Sequence, residues 1–507
     1  MGSRASDPFA RKPIAILLKE MEGGERLHRV LGPVALTALG VGATIGAGIF
    51  VLTGEAARND AGPSLVLSFL LAGFGCGLAA LCYSELASMV PVAGSAYTYA
   101  YATLGELVAW IIGWDLVLEY AIGSSAVAVG WSKYLASLCR NQLHVALDPR
   151  WLNSPWDFDV GRHAFVWKRV AVRLADGSMG EVQAFGNLPA LLIVLAITAL
   201  LVVGIKESAG FNAAMVMMNL AVILMVIGLG ATYVEPRNWT PFLHKEKGWG
   251  GVATGAAHIF FAYIGFDSIS THAEEARNPR RDLAIGILGS LLICTVLYVA
   301  VAGILTGMVP SGEIDVDAPI ASAFQRHGTT WASGLITGAI LAGITSSLLV
   351  GTLSQPRILL AMARDGMLPP GFFAAIHPRF RTPWKSTILV GVAVGTISAL
   401  VPLNFLADLV SVGTLFAFLV VCAAVWILRA RSPEVDRPFR VPALPAVAGV
   451  GILVNGGLMF SLGPDNWIRL GVWLALGMVI YLGYGRYHTR LGKADAGDLG
   501  MGIGRRD

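Results

Sequence analysis

The residues best placed to do chemistry are the few ionisable ones that interrupt long apolar runs, because a charge at membrane depth is costly and marks a functional position by default. Glu119 stands in Leu-Val-Leu-Glu-Tyr, and Asp267 ends Phe260-Phe-Ala-Tyr-Ile-Gly-Phe-Asp. Glu119 is placed to pair with a basic group or hold a proton, or else to make a structural hydrogen bond to a neighbouring helix. Asp267 is placed to hold an unwound segment open or to meet the far end of a bound molecule. Lys206 lies between two apolar runs, where hydropathy alone reads it as an interfacial lysine. No metal or cofactor site is expected. His258 and His272 are fourteen residues apart with no cysteine or paired carboxylate nearby in sequence, and neither a nucleophile elbow nor a phosphate loop occurs. The chain is therefore not expected to be an enzyme.

Glycines give the second signal. Thr37-Ala-Leu-Gly-Val-Gly-Ala-Thr-Ile-Gly-Ala-Gly-Ile-Phe50 puts Gly40, Gly42, Gly46 and Gly48 inside one apolar run, although glycine costs about 1 kcal/mol relative to alanine in a helix interior. Close helix packing through Gly42 and Gly46 is one reason. A broken helix whose freed backbone groups face a cavity is the other. A second interruption at Gly265 and Asp267, five helices further on, favours the break, since paired interrupted segments in two halves point to a transporter's midplane site.

The elements that must position these residues are membrane helices. Hydrophobic residues make up 55% of the 507, charged residues 14%, and mean hydropathy is +0.65, more apolar surface than a soluble globule of this size buries. Lipid is thus a partner of the chain. A span needs about 20 apolar residues. Twelve candidate spans fall at 33–56, 63–89, 97–139, 187–204, 207–234, 251–275, 283–309, 331–362, 384–401, 404–429, 443–463 and 467–486. The third is too long to lie wholly in lipid, so it is either strongly tilted, with its start in the cytosolic interface, or broken near Gly123 to Ser125.

These spans form one transporter domain, 33–486, between a cytosolic N-terminal extension, 1–32, and a cytosolic C-terminal tail, 487–507. The extension has no apolar stretch followed by a cleavage site, and Ile14 to Met21 has the pattern of a surface helix or simply of a charged start. Arginines and lysines at 277, 280, 281, 364, 379, 381, 385, 431, 437, 440, 486, 490 and 493 place the loops that carry them in the cytosol of a cell whose plasma membrane the chain crosses. The long segment 141–186 then lies outside, and Asp176-Gly-Ser178 suggests a small β-hairpin there. A net charge of +4, spread along the chain, gives no basic face for nucleic acid. The five cysteines have neither metal nor disulfide spacing.

Several runs together resemble a known family: Gly-Val-Gly-Ala-Thr-Ile-Gly-Ala-Gly-Ile-Phe (40–50), Pro-Val-Ala-Gly-Ser-Ala-Tyr-Thr-Tyr (91–99), Gly-Ile-Lys-Glu-Ser (204–208), Gly-Phe-Asp (265–267), Glu-Glu-Ala-Arg-Asn-Pro (274–279) and Ala-Arg-Asp-Gly (363–366). They resemble the amino acid-polyamine-organocation (APC) superfamily, and within it the cationic amino acid transporter family and its bacterial members. The resemblance implies an all-α polytopic membrane protein with a LeuT-like five-plus-five inverted repeat, broken helices 1 and 6, and two peripheral spans. It also implies an amino acid substrate carried with a proton by alternating access; exchange without proton coupling is the alternative. Amides around Thr44, Ile45, Gly46, Ala47 and Gly48 would meet the carboxylate, and carbonyls near Phe261, Ala262 and Ile264 the ammonium. Phe261 would close over the substrate, Gly351 would leave room for a long side chain, and Glu119 would lie within reach of its charge. Lys206 would then be a buried proton carrier beside the Gly42 carbonyl and the hydroxyls of Thr345 or Ser346, since desolvation disfavours a charged ammonium.

Overall fold

The computed structural model describes residues 7–12, 31–89, 95–159, 161–173, 178–203 and 209–489, with backbone alone at 95, 173, 209–215, 271, 272 and 274. Twelve helices of eleven residues or more occur among them: α1 (Pro33–Thr44), α2 (Leu65–Met89), α3 (Glu106–Asn141), α4 (Leu188–Val203), α5 (Ala209–Gly230), α6 (Gly248–His258), α7 (Pro279–Met308), α8 (Thr330–Arg364), α9 (Trp384–Leu400), α10 (Leu403–Arg431), α11 (Leu444–Ser461) and α12 (Pro464–Ile480). Among the described residues nine helical stretches are long and apolar enough to cross a membrane, and α1, α4 and α9 are shorter apolar helices. Large apolar side chains such as Leu192 on α4, Leu453 and Phe460 on α11 and Val472 on α12 point outward, the last three 74%, 74% and 66% exposed. Apolar surface of that extent needs lipid to cover it.

Local sequence sets the breaks. Asn278 and Pro279 start α7 at the positions where a cap and a proline are tolerated, and the Asn278 amide donates to Asp282 Oδ2 at 3.1 Å. The first apolar run stops being α-helical at Thr44 and resumes as a wider-wound helix from Gly48 that runs on to Ala61, past the expected end at 56. The sixth changes from α6 into tight 3-10 turns over Ile259–Tyr263 and restarts over Phe266–Glu275, with Gly265 between them at φ +123°. The third run corrects one of its two alternatives, the break near Gly123. α3 runs unbroken through Gly123–Ser125, and the break lies at Gly105 instead, at φ +104°, where a Cβ would come within 2.8 Å of the Phe9 carbonyl oxygen.

Helices pair in a regular way. α2 packs on α7, α3 on α8, α4 on α9, and α1 on the restarted half of the sixth run. Both described ends of the chain meet on one face: the Lys12 amide donates to the Tyr101 carbonyl (3.2 Å), Lys12 Nζ pairs with Asp365 (3.0 Å), and the Tyr101 hydroxyl bonds Thr489 (3.2 Å). We call this the terminus face. The opposite face carries the 141–186 segment, which makes two antiparallel hairpins and so departs from an all-helical chain. β3 (Arg169–Arg173) pairs with β4 (Met179–Gln183), flanking the expected Asp176–Ser178 turn, most of which lies outside the described residues. β1 (Trp156–Asp159) pairs with β2 (Ala164–Trp167), a hairpin not expected from sequence although Gly161 stands in its connection; stacked rings of Trp156 and Trp167, 3.8 Å between centroids, hold it. Asp317 pairs with Lys133 on the same face (3.0 Å), and although burial works against its charge, that ammonium holds the carboxyl below its usual range. The expected surface helix at 14–21 and the tail beyond 489 lie outside the described residues.

Candidate functional site

The two breaks meet. An added Cβ on Gly48 would stand 2.4 Å from the Ala262 Cα, so the two backbones touch with no side chain between them. Carbonyls freed by the breaks are collected by neighbours: the Tyr298 hydroxyl of α7 lies 3.0 Å from both Thr44 O and Ala262 O and shares its one hydrogen between them. Ser347 of α8 donates to Ile45 O at 3.2 Å, and Ser268 donates to Gly265 O at 2.5 Å. The helix that starts at Gly48 leaves its first-turn amides without intrahelical acceptors at the same point.

A cavity of about 90 Å³ opens beside this junction. Its wall includes Thr44, Gly46, Ala47 and Gly48 from the first run, Glu119 from α3, Phe261, Ile264 and Asp267 from the sixth, and Gly351 from α8, all singled out from sequence. Unpaired amides at a helix start favour an anion and carbonyls at a helix end a cation, so the junction can hold both ends of a zwitterion. Glu119 and Asp267 add two carboxyls, and among the described residues no lysine, arginine or histidine lines the cavity. About 90 Å³ accommodates several waters on a scale where one needs roughly 10–15 Å³.

Other expected site residues fall elsewhere. The Ile45 side chain is fully buried away from the wall, and Ala262 packs under Gly48. The Thr345 hydroxyl accepts from Trp131 Nε1 (2.9 Å) and donates to Leu341 O, so it faces α3 and not the break. Ser346 does not line the cavity; its neighbour Ser347 does, because the helical period turns that position toward α1. Gly42 faces Val216 of α5, whose Cγ2 a Cβ would strike at 2.2 Å. Lys206 lies outside the described residues.

Sequence reasoning missed Tyr120, Ser124, Val127, Ser268, Ser347, Val350 and Ser354 of the wall, as well as Tyr298 behind it. A signal existed for most of them. Positions 120, 123, 124 and 127 share a helix face with Glu119, and 347, 350 and 354 share one with Gly351.

A model of the amino acid permease family matches residues 31–481. The chain is 44% identical over 486 residues to the branched-chain amino acid permease BcaP of Bacillus subtilis, which covers 96% of this chain and 99% of that one. It is 42% identical to the methylthioribose transporter of the same bacterium, over 96% of this chain and 100% of that one. It is 43% identical to the vacuolar cationic amino acid transporter 2 of Arabidopsis thaliana, over 81% of this chain and 61% of the plant protein. Since the match spans both broken runs and every residue of the cavity wall, the chain belongs to the amino acid permease family of the APC superfamily, as a multi-pass membrane carrier and not an enzyme.

Proposed function

We propose that this chain is a secondary active amino acid transporter that takes up a cationic amino acid together with a proton, by exposing its cavity alternately on either face. The observation that carries this reading is the cavity at the touching breaks of the first and sixth runs, where main-chain groups of opposite polarity face one small space. The pairing of α2 with α7, α3 with α8 and α4 with α9 supports a LeuT-like five-plus-five inverted repeat among twelve spans, α11 and α12 being peripheral. In this reading the hairpins face outward and both termini the cytosol of a plasma-membrane protein, in keeping with the arginine-rich loops of the terminus face. The substrate's carboxylate meets the amides of residues 44–48, its ammonium the carbonyls near 261–264, and a basic side chain Glu119 or Asp267. Lys206, which lies outside the described residues, is the proposed coupling group.

A second substrate class has support of its own. The cavity is small and has Val127, Val350 and Phe261 in its wall, and the BcaP relative is named for branched-chain amino acids. Uptake by purified protein in liposomes, against a panel of basic and branched-chain amino acids with and without an inward proton gradient, decides between the two. Accumulation of no amino acid under either condition would overturn the proposal.

A further inference from the structure

Between the cavity and the hairpin face lies a charged cluster that the substrate site does not use. His258, at the end of α6 and one turn before Phe261, has Nδ1 2.7 Å from Asp60 Oδ2 and Nε2 3.3 Å from Asp408 Oδ1. Asp60 belongs to the outer half of the first run and Asp408 to α10, so one ring ties three separate elements together. A neutral imidazole has one N–H and one bare lone pair, and a lone pair facing a carboxylate oxygen is repulsive. With both carboxyls ionised, both contacts are satisfied only when both nitrogens carry hydrogen.

We infer that His258 is a proton-binding site of the transport cycle, and that the imidazolium clamped between Asp60 and Asp408 holds the hairpin-face half of the pathway shut. The proton arrives from water on that face, which reaches a side chain 31% exposed, and fills Nε2; the shorter contact to Asp60 keeps Nδ1–H in the neutral ring. Loss of the proton turns the Asp408 contact from attraction to repulsion and frees α10 from the first and sixth runs. Among the described residues, few other polar or charged groups face this cluster. On its own segment Lys247 bonds Asp60 Oδ1 at 2.7 Å, and from the first run Glu55 lies within electrostatic reach of the ring. On α12, Arg469 and Asn466 face Asp408, and Lys133 of α3 is felt at Glu55. Lys247 remains to partner Asp60 and Arg469 to partner Asp408 in the separated state, so neither carboxylate is abandoned when the clamp opens.

The inference rests on the reading that the cavity is alternately exposed, and the test separates the two. Spin labels on Asn59→Cys and Asn404→Cys, both exposed, report the distance between the outer ends of the first run and α10 in purified protein whose native cysteines are replaced. In acid a short distance dominates; toward alkaline pH a longer one grows until the ratio has changed about tenfold, the effect of one charge-assisted contact worth ~1.4 kcal/mol. His258→Gln, which cannot donate at both ends, and Asp408→Asn both lose that response. A wild-type ratio that ignores pH, or variants that follow the wild-type titration, overturns the proton site. Amino acids from the uptake panel are added at constant pH as the second arm. A shift with amino acid but none with pH keeps alternate exposure and removes the proton site. A shift with pH but with no amino acid keeps the proton site and counts against the transport reading.

Discussion

Gly265 lies against Ala43: a Cβ on the glycine would stand 2.6 Å from the alanine's carbonyl oxygen, and Gly265 has φ +123°. Space and backbone conformation thus both demand glycine where the two interrupted runs cross. Gly265→Ala is expected to lower uptake at least ~10-fold and to destabilise the fold by about 1–3 kcal/mol. Gly457→Ala on α11, where nothing lies within 4 Å, should leave both unchanged. Uptake in liposomes and thermal unfolding in detergent check the pair; equal behaviour of the two variants would refute a special role for the crossing.

Gly46 borders the cavity, and a Cβ there would meet Ser347 Oγ at 3.2 Å, which a serine rotamer can relieve. Gly46→Leu should therefore fold and insert, yet its side chain occupies the space assigned to a carboxylate. Transport is expected to disappear with a monodisperse protein on size exclusion. Normal uptake by that variant would falsify the carboxylate assignment.

Gly46 and Gly265 also show how much of the site the sequence makes legible. Glycines inside apolar runs violate helix propensity, so the breaks and the residues around them stand out without any structure. Residues that obey the local pattern do not stand out. Tyr298 and Ser124 are ordinary members of membrane helices, and only the crossing of α7 and α3 with the broken runs gives their hydroxyls a task. Thr345 and Ser347 differ by two residues, roughly 200° on a helix, and choosing between them requires the rotation of α8, which its small hydroxyl residues, spread around the helix from Ser333 to Ser354, do not reveal. The break at Gly105 was invisible for a related reason: it is set by contact with Phe9, almost a hundred residues away in sequence.

Selectivity is the next test. Gly351 has Ser124 Oγ only 2.7 Å from its would-be Cβ, so Gly351→Met forces that serine aside and fills the cavity from α8. Glu119→Gln removes one of the two carboxyls. In competition assays Gly351→Met should favour small neutral amino acids over basic ones, and Glu119→Gln should weaken basic substrates by about 10-fold, the loss of a charge-assisted contact. No change in preference from either variant would remove the support for a cationic substrate.

Stability depends on a different acidic residue. Glu85 on α2 is fully buried, bonds Arg429, accepts from the Val441 amide at 2.8 Å, and lies 3.3 Å from Arg437 Nε. Glu85→Ala leaves two guanidiniums without their carboxylate at the loop joining α10 to α11, a loss of about 3–5 kcal/mol. The midpoint of thermal unfolding in detergent should fall clearly, while a control at exposed Asp436, paired loosely with Arg280, should move it little. A Glu85→Ala protein as stable as wild type would mean that water already satisfies these arginines.

Proton coupling through Lys206 is the most demanding expectation, because α5 is described only from Ala209, three residues beyond that lysine. Its described part meets α1 where Val216 packs on Gly42, so α5 is in contact with the broken run and any change of charge beside it can bias the break. A lysine desolvated in one conformation and hydrated in the other binds its proton with different affinity in each, and this difference is what couples a gradient to movement. Lys206→Ala should abolish accumulation driven by a proton gradient while leaving exchange of labelled for unlabelled substrate. The hairpin-face response assigned to His258 should survive in the same variant, because that proton binds and leaves on one side of the cavity and does no transport work. Concentrative uptake by Lys206→Ala under a proton gradient alone would rule out the coupling role, and loss of exchange along with accumulation would place Lys206 in the structure of α5 instead.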